Sequence, residues 1–520
     1  MTDQRLPPRR RGKTALASRL MNSRAQNTLP ALAAAALAIL LYAVNLGGTY
    51  IYDDVQIIAT DTRIRSPHAW KELWTKDYFN GAIDNLYRPL TSQTYAIEWW
   101  LHGDRPWAFH LVNILLNAAA AVAVAELARR LTGIKAAFAA GLLFAALPIH
   151  VEAVAGLVGR AEELCTLLIF CSLILFLRRP LTAPRACAIG LLAASAMLCK
   201  EQGMLLPFLL LALGLLTGFR SQSTKEYNVV LLLGLWLCLS VSGLIVLREQ
   251  ILNLKFEWDQ SFLDVSIQPL IKSGPMDHLL MVFVILGHYV QLLIAPVKLS
   301  IDYGQSVLTS VADRHDPYLY LGVATALAGI SALIIAILRH NHAAMFCLIA
   351  AGLTYGMVSN VFLIGTIFGE RLMYLPSAFL LIWASIYLAR LRAPTLAAVL
   401  TVLLVLGGVR TVSYAARWNN RYQFYLTSLA EQPRSVRLYE LVISEDINSG
   451  DLKEAARLAA EGRRVAPDYW NIWSVSGQIA EKQGDLDTAY TMYKTAFKLE
   501  PLVATQSMLK RVEAARRARK

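Results

Sequence analysis

The sequence has few charged residues, and this argues against an ordinary soluble protein. Only 17% of the 520 residues are Asp, Glu, Lys or Arg, whereas 56% are hydrophobic and the mean hydropathy is +0.44. A soluble globular domain has about 25% charged residues. A water-soluble fold would have nowhere to bury so much apolar surface, so the composition predicts a membrane protein.

Signals for disulfides, metals and nucleic acids are also scarce. The six cysteines lie in or beside apolar runs and form no C-x-x-C pair, so neither a disulfide framework nor a zinc site is predicted. No cluster of His and Asp has the spacing of metal ligands, which leaves any dependence on a divalent metal open. The net charge of +13 is not gathered into one basic stripe interleaved with aromatic residues, so no nucleic-acid partner is expected.

What the sequence does contain is a series of apolar runs of about 20 residues. As a helix, such a run crosses the roughly 30 Å of hydrocarbon in a bilayer and satisfies its own backbone. The runs lie at about 30–49, 108–128, 136–157, 163–178, 184–199, 204–219, 228–247, 318–338, 343–365, 372–389 and 394–412. A further run at 279–299 is interrupted by Gly287-His288 and Pro296, and this pattern fits a span, a re-entrant segment or a helix lying flat. We therefore predict an all-α, polytopic membrane bundle of about eleven spans.

The distribution of basic residues predicts the orientation of the bundle. Residues 1–29 carry seven Arg and Lys against one Asp, which is typical of a basic cytoplasmic amino terminus. No small-residue cleavage site follows the first apolar run, so it is expected to be a retained span. The loop 50–107 is then extracytoplasmic, and the membrane domain covers 30–412. Eleven spans place the carboxyl terminus outside, whereas twelve place it inside.

The tail, residues 413–520, contains an internal repeat. Three features recur at an offset of 34 residues: Gly450-Asp451-Leu452 as Gly484-Asp485-Leu486, Ala455 as Ala489, and Pro467 as Pro501. This period, with a turn between two helical patterns, is typical of tetratricopeptide repeats. Each repeat buries its apolar face only against a neighbour, so residues 414–437 are expected to add a further unit. We predict that the tail binds an acceptor or a protein partner and takes no part in the chemistry.

Two adjacent carboxylates, Asp53 and Asp54, open the extracytoplasmic loop. Neighbouring carboxylates repel, which raises the proton affinity of one of them, and a partly dehydrated Asp can act as a general base toward a hydroxyl group. On chemistry alone, a solvated loop cap is the competing interpretation.

Other polar side chains collect at the outward ends of later runs, where a plain span needs none. They are His150, Glu152, Arg160, Glu162, Lys200, Glu201, Glu370 and Arg371. An ionised side chain at bilayer depth costs at least about 2.5 kcal/mol, so such groups pair with one another or line a wet cavity. Each one alone fits an interfacial anchor or a structural ion pair. Their convergence on one membrane face favours a polar site.

Seven blocks of the membrane part, taken in order, carry a family resemblance. They are YDDVQII (52–58), YRPLT (87–91), FHLVNILLN (109–117), LPIHVEAVAGLVGRAEEL (147–164), CKEQG (199–203), LSIDYG (299–304) and ERLMYLPS (370–377). In sequence, order and spacing they resemble the transmembrane and tetratricopeptide-repeat O-mannosyltransferases, relatives of the protein O-mannosyltransferases within the GT-C glycosyltransferases. The blocks cover nearly the whole membrane part, so the resemblance implies a GT-C type of bundle.

This resemblance implies transfer of a mannose-like sugar from a polyprenyl-phosphate carrier to a hydroxyl acceptor, a protein Ser or Thr, at the extracytoplasmic face. The family's catalytic acidic pair maps to Asp53 and Asp54, with Asp53 as the expected base. The leaving lipid phosphate needs nearby cations to stabilise its charge. The residues expected to bind the donor phosphate or substrate are Lys200, Arg371, Arg88, Arg160, His150, Glu152, Glu201 and Tyr374.

The short repeat tail and the Ala-rich composition look bacterial. The expected donor is then linked to undecaprenyl phosphate, and the expected location is the inner membrane with the tail in the periplasm. In a eukaryote the corresponding location would be the endoplasmic reticulum membrane with a lumenal tail. The expected partners are the lipid-linked sugar, a protein or glycan acceptor, membrane lipids and a protein bound by the repeats.

Three other functions compete with this interpretation. A lipid-linked glycan ligase or polymerase also combines many spans with a soluble tail, but the early Asp pair does not support it. A non-enzymatic scaffold that presents the repeats needs no buried charge, and this chain has many. A transporter is disfavoured because no paired half-helices broken by Gly or Pro occur in corresponding positions.

Overall fold

Helices and the loops between them make up the part of the chain that the structure describes. The structure is a computed structural model that describes residues 11–80, 86–218, 223–252, 267–304 and 307–519, with 11–26 as backbone only. Within these ranges every regular element is a helix and there is no strand, which confirms the predicted all-α class. Residues 1–10 of the predicted basic amino terminus lie outside the described residues.

Fifteen α-helices precede the tail in the described ranges. They are α1 (Arg11–Tyr42), α2 (Thr62–Arg65), α3 (Pro89–His102), α4 (Pro106–Thr132), α5 (Ile134–Ala146), α6 (Val151–Ala155), α7 (Arg160–Phe176), α8 (Ala183–Cys199), α9 (Leu206–Leu216), α10 (Thr224–Leu252), α11 (Pro275–Ile294), α12 (Pro317–Leu338), α13 (His342–Gly356), α14 (Tyr374–Leu388) and α15 (Ala393–Ala415). Short turns of tighter helix join several of them. Many begin with Pro in the first turn, where its missing N–H is not needed.

Seven described segments are long and apolar enough to cross a membrane. They are Asn27–Gly47, Pro106–Thr132, Thr224–Leu252, Pro275–Ile294, Pro317–Leu338, Glu370–Leu388 and Ala393–Asn419. An eighth is present if Ile134–Ala146 and Pro148–Ala155, bent by 53°, form one broken span. Shorter apolar helices are Ala183–Cys199, Glu201–Leu216 and His342–Gly356. The chain is an integral membrane protein, and the count of about eleven spans stays a prediction.

Small residues explain how the first helices pack. A Cβ atom on Gly141 of α5 would lie 2.8 Å from the Cβ of Ala125 in α4 and 2.9 Å from the Cβ of Ala34 in α1. Lipid tails are as apolar as Leu, so membrane helices associate through close backbone approach rather than through a hydrophobic driving force. The Ala-rich runs therefore form a tight three-helix contact of α1, α4 and α5.

Helix α11 runs without a break through Gly287, and reading this Gly as an interruption was wrong. A Cβ on Gly287 would collide with the carbonyl of Tyr318 in α12, and a Cβ on Gly322 would collide with the carbonyl of Phe283 in α11. The two Gly residues let α11 and α12 touch backbone to backbone. The helix ends at Ile294, and it is long and apolar enough to span.

The first loop has a small core of its own. Arg63 is 2% exposed and donates through its guanidinium to Asp61 Oδ2 at 2.6 Å and to the carbonyls of Asp77 and Tyr78 at 2.8 and 2.9 Å. A buried guanidinium is tolerated because all its contacts are charge-assisted or hydrogen-bonded. This arrangement gives the loop that follows α1 a defined shape.

The tail consists of helix pairs with the predicted period. Its helices are α16 (Arg421–Glu431), α17 (Val436–Ser449), α18 (Leu452–Val465), α19 (Trp470–Lys482), α20 (Leu486–Leu499) and α21 (Val503–Arg519). Gly450 and Gly484, 34 residues apart, have φ of +88° and +81°, a conformation that favours glycine at a helix end. Asp451 and Asp485 follow and cap α18 and α20. Assignment to the tetratricopeptide class and the boundary at 413 stay predictions.

The tail lies at the same end of the bundle as the first loop. Asn45, at the end of the first span, donates to the carbonyl of Ala415 at the end of α15 at 2.8 Å. The backbone N–H of Tyr52 donates to the hydroxyl of Tyr425 in α16 at 2.9 Å. The first loop and the tail therefore share one side of the membrane, whichever side that is.

Candidate active site

Tyr52 adopts an unusual backbone conformation immediately before the acidic pair. Its φ is +59°, a left-handed value that costs a bulky side chain free energy and persists only where neighbours enforce it. Its N–H is held by Tyr425, and its ring lies under the guanidinium of Arg437, with 4.8 Å between the Arg carbon and the ring centroid. Both neighbours come from the tail. The strained turn sends the next two side chains into different surroundings.

Asp54 points into the protein. It is 1% exposed, and its carboxylate accepts hydrogen bonds from the backbone N–H of Val158 at 2.9 Å and of Ile51 at 3.3 Å. Burial raises the pKa of Asp54 to about 7, although these backbone donors act in the opposite direction. This carboxyl joins the first loop to the turn that precedes α7, so its geometry suits a positioning role.

Asp53 points toward a partly open polar surface. Its side chain is 16% exposed, and Oδ2 accepts from both Nη atoms of Arg371 at 3.3 Å. Its Oδ1 has no hydrogen-bond partner among the described residues. A carboxylate that is oriented by one cation and still has free lone pairs can accept a proton from a bound hydroxyl group.

Arg371 is shared by two carboxylates. Besides Asp53, its Nε lies 3.5 Å from Glu152 Oε1, and its backbone N–H donates to Glu152 Oε2 at 2.8 Å. Glu152 lies on α6, in the bent element, and Arg371 lies in the turn that leads into α14. Three residues predicted from separate sequence blocks therefore meet at one place.

Two further ion pairs extend this group of charged residues. Lys200 pairs with Glu162 in a buried contact, and Arg88 Nη2 lies 2.8 Å from Glu201 Oε2. Glu201 follows Lys200 in the chain, and the charge of Glu162 also acts on Arg371 and Arg88. We call the seven residues of this network the polar line: Asp53, Arg371, Glu152, Glu162, Lys200, Arg88 and Glu201. It contains four carboxylates and three cations.

Three residues that were predicted to bind the donor, Arg160, His150 and Tyr374, lie in packed surroundings in the structure. Arg160 is fully buried, pairs with Glu98, and donates to Asn113 Oδ1 at 2.8 Å and to the carbonyl of Phe109 at 3.1 Å. These contacts use the guanidinium for holding α3, α4 and α7 together. These contacts occupy the guanidinium, and contact between Arg160 and the donor stays a prediction.

His150 and Tyr374 belong to the same packed interior. His150 Nε2 lies 2.7 Å from Ser377 Oγ, and its Nδ1 lies 3.0 Å from the carbonyl oxygen of Phe144. The Tyr374 hydroxyl donates to Asn117 Oδ1 at 2.8 Å, and its ring packs 4.7 Å from the ring of His150. Both side chains are buried, so the structure offers no substrate contact for either.

Several functional candidates were missed by sequence reasoning. Asp302, in the LSIDYG block, accepts from the Ser435 hydroxyl through Oδ2 at 2.6 Å, and the charge of Arg437 acts on both Asp302 and Asp53. Glu163 is fully buried, and its carboxyl oxygens have no hydrogen-bond partner among the described residues. Asp302 and Glu163 lie within the sequence blocks that carry the family resemblance, so the sequence did mark these two positions. Nothing local marked Ser435 or Arg437.

Among the residues that the structure describes, three contacts join the tail to this site. They are the Tyr425 hydroxyl on the backbone of Tyr52, Arg437 on the ring of Tyr52, and Ser435 on Asp302. The prediction of a tail separate from the chemistry did not include them. Within the ranges that the structure describes, no three side chains of His, Cys, Asp or Glu group in a way that could hold a metal ion.

Comparison with known proteins confirms the predicted resemblance. A family model described as dolichyl-phosphate-mannose-protein mannosyltransferase matches residues 89–244. The chain is 25% identical to protein O-mannosyl-transferase F38B6.6 of Caenorhabditis elegans, over 83% of this chain and 62% of that protein. It is 31% identical to protein O-mannosyl-transferase Tmtc2 of Drosophila melanogaster, over 54% of this chain and 31% of the relative. The chain thus spans about three fifths of the first relative and less than a third of the second.

Two solved structures are also similar. One is the apo crystal structure of the Archaeoglobus fulgidus oligosaccharyltransferase, with a TM-score of 0.42, 12% identity, and coverage of 77% of this chain and 57% of that chain. The other is ArnT from Cupriavidus metallidurans bound to undecaprenyl phosphate, with a TM-score of 0.43, 15% identity, and coverage of 90% and 80%.

Proposed function

We propose that this membrane protein is a glycosyltransferase that moves a mannose-like sugar from a polyprenyl-phosphate carrier to the hydroxyl group of a protein Ser or Thr. One observation carries the proposal. Asp53 lies at the catalytic position implied by the family resemblance, and it is partly exposed, oriented by Arg371, and has a free oxygen. The names of the relatives, protein O-mannosyl-transferases, support the same reaction class.

In the proposed reaction Asp53 is the general base. The acceptor hydroxyl donates its proton to the Asp53 carboxylate while its oxygen forms a bond to the anomeric carbon of the sugar. The bond from that carbon to the phosphate oxygen breaks, and its electron pair leaves with the lipid phosphate. Arg371 restrains the orientation of Asp53. Glu152 holds Arg371 by accepting a hydrogen bond from the Arg371 backbone N–H and by pairing with the Arg371 guanidinium.

Asp54 supports this geometry without touching the reacting groups. Its hydrogen bonds to Ile51 and Val158 hold the strained turn against the segment before α7. Asn at position 54 retains one acceptor oxygen for two N–H donors. We therefore expect Asp54→Asn to reduce transfer less than Asp53→Asn.

The test is transfer from a polyprenyl-phosphate sugar in proteoliposomes. Asp53→Asn keeps the volume but removes the base, so we expect the rate to fall by about 10²-fold or more. Glu72→Gln is a matched acid-to-amide control in the same loop, because the Glu72 side chain pairs with Lys76 at the exposed surface. Transfer by Asp53→Asn at the rate of the control variant would remove Asp53 from the catalytic role.

The proposal places the polar line and the tail on the extracytoplasmic side, in the periplasm of a bacterial cell. The positive-inside rule for residues 1–29 supports this orientation. Because the tail and the first loop share one side, a single reporter fused after the last residue tests both. Reporter activity restricted to the cytoplasm would contradict the orientation.

A further inference from the structure

The cations expected to bind the lipid phosphate are already paired with carboxylates. Arg371 lies between Asp53 and Glu152, Lys200 pairs with Glu162, and Arg88 pairs with Glu201. The proposed reaction converts a phosphodiester with one negative charge into a phosphate monoester, which carries about −1.5 to −2 near pH 7. A line of four carboxylates and three cations does not compensate that added charge. A cation that is not already held in an ion pair would be the natural partner of this added charge.

Arg437, from the first turn of α17, has the required properties. It is half-buried, lies over the ring of Tyr52, the residue before Asp53, and has no ion pair within 4.0 Å among the described residues, although the charges of Asp302 and Asp53 act on it. Arg410 is a weaker candidate, because its Nε and Nη2 already donate to the carbonyls of Pro296 and Val297 at 2.7 and 3.0 Å. Arg437 therefore has the free donors that an anionic ligand requires.

The position of Arg437 is defined by contacts on either side of it in the fold. Ser435, two residues earlier, donates to Asp302 Oδ2 at 2.6 Å and accepts from the N–H of Leu438 at 3.2 Å as the cap of α17. The guanidinium carbon lies 4.8 Å from the centroid of the Tyr52 ring. Its N–H groups make no hydrogen bond among the described residues, so they are available to the oxygens of a phosphate.

We propose that Arg437 binds the phosphate of the lipid carrier beside Asp53, so that the tail completes the donor site. This proposal rests on the proposed function and assigns its donor contact. The ligand class is a phosphate ester whose anionic oxygens face the guanidinium. The cation contributed by the tail becomes most important as the leaving phosphate gains charge, because charge-assisted hydrogen bonds strengthen with the charge of the acceptor.

The experiment uses the full-length protein in nanodiscs and measures binding separately from transfer. Polyprenyl phosphate is titrated onto the Asp53→Asn protein with Arg437 intact, and with Arg437→Gln or Arg437→Lys added. We expect Arg437→Gln to weaken binding by about 10-fold or more, and Arg437→Lys to restore part of it. Arg434→Gln, an exposed residue of the same segment, is the control and should bind as the parent does.

Two further arms separate the remaining explanations. Inorganic phosphate is titrated in parallel. If it binds weakly, and Arg437→Gln does not change that binding, the result supports recognition of the lipid-linked ester. In proteins with Asp53 intact, we expect Arg437→Gln to raise the donor KM and to relieve inhibition by polyprenyl phosphate. If the protein with Asp53 intact transfers no sugar, but Arg437→Gln abolishes its binding of polyprenyl phosphate, the proposed function is refuted and the phosphate site still stands. Unchanged binding in both Arg437 variants, or a lower melting temperature with an unchanged donor KM, would overturn the proposal and leave Arg437 as a structural clamp.

Discussion

Replacing Ser435 by Ala should detach the tail from the catalytic loop. The Ser435 hydroxyl has two roles in a buried position: it donates to Asp302 Oδ2 at 2.6 Å and it accepts from the Leu438 N–H as the cap of α17. Alanine removes both interactions at once. The side chain of Arg437, two residues further on, then loses the anchor that holds it over Tyr52.

The size of the effect follows from these two interactions. Loss of a helix cap costs about 1 kcal/mol, and loss of a hydrogen bond to a charged group costs about 1.5–3 kcal/mol. Asp302 keeps a second donor, the N–H of Gly304 at 3.2 Å, so the total is expected to be about 2–4 kcal/mol. Of the two interactions, only the bond to Asp302 crosses between the tail and the bundle, so docking itself should weaken by about 1.5–3 kcal/mol, a factor of about 10 to 100.

Hydrogen exchange of the full-length protein in nanodiscs measures this docking. We expect faster exchange in the first turn of α17 and around Tyr52, together with slower sugar transfer. Ser435→Thr keeps the hydroxyl and should change little. Asp302→Asn and the double variant complete a cycle in which the two single effects should not add, because they remove the same contact. Full protection and full transfer in Ser435→Ala would refute the view that this contact holds the tail on the site.

Two other predictions follow from buried charges. Burial raises the pKa of Asp54 from its ordinary value of 3.8 to about 7, so the folded state binds a proton more tightly than the unfolded state. The corresponding stability is present below pH 4 and is lost as the pH rises through 7, by about 4 kcal/mol in all. Melting curves from pH 4 to 8 should show this decline, and Asp54→Asn should flatten it. Parallel pH dependence of the two proteins would contradict the prediction. Arg160→Met leaves Glu98 buried without its cation, and breaking such a pair costs about 3–5 kcal/mol, so the melting temperature should fall while the donor KM stays constant. Glu98→Leu in the same chain should restore much of the stability, and a raised donor KM in Arg160→Met would return Arg160 to the donor site.

Most of the helices were predictable because length and composition determine what can lie in a bilayer. The runs near 108–128 and 318–338 became α4 and α12 with small shifts of their ends. Gly287 was misinterpreted, since glycine in an apolar run signals either a break or a close backbone contact, and the sequence does not distinguish them. The partner that decides the question, Gly322 with the carbonyl of Tyr318, is supplied by the next helix.

The membership of the polar line was partly predictable, but its pairing was not. Charged residues at the outward ends of several runs must avoid the hydrocarbon, so their convergence on one face followed from topology. Asp53 and Arg371 are 318 residues apart, and only the packing of α1 against the bundle brings them within reach of each other. Arg160 and Glu162 lie two residues apart in one block, yet α7 directs one toward Glu98 and the other toward Lys200.

The contribution of the tail to the site had no sequence signal, for a physical reason. A repeat helix buries one face against its neighbour, and its remaining surface is free to take any polar residue, so Arg437 looks like an ordinary solvated side chain in the repeat pattern. Its role depends on Tyr52, whose left-handed backbone is itself held by Tyr425 of the tail. The conformation that sets Asp53 beside Arg371 and the cation that lies over Tyr52 therefore depend on the same docked helices. If the tail shifts at this contact when it binds the acceptor, the positions of the base and of the phosphate site change together.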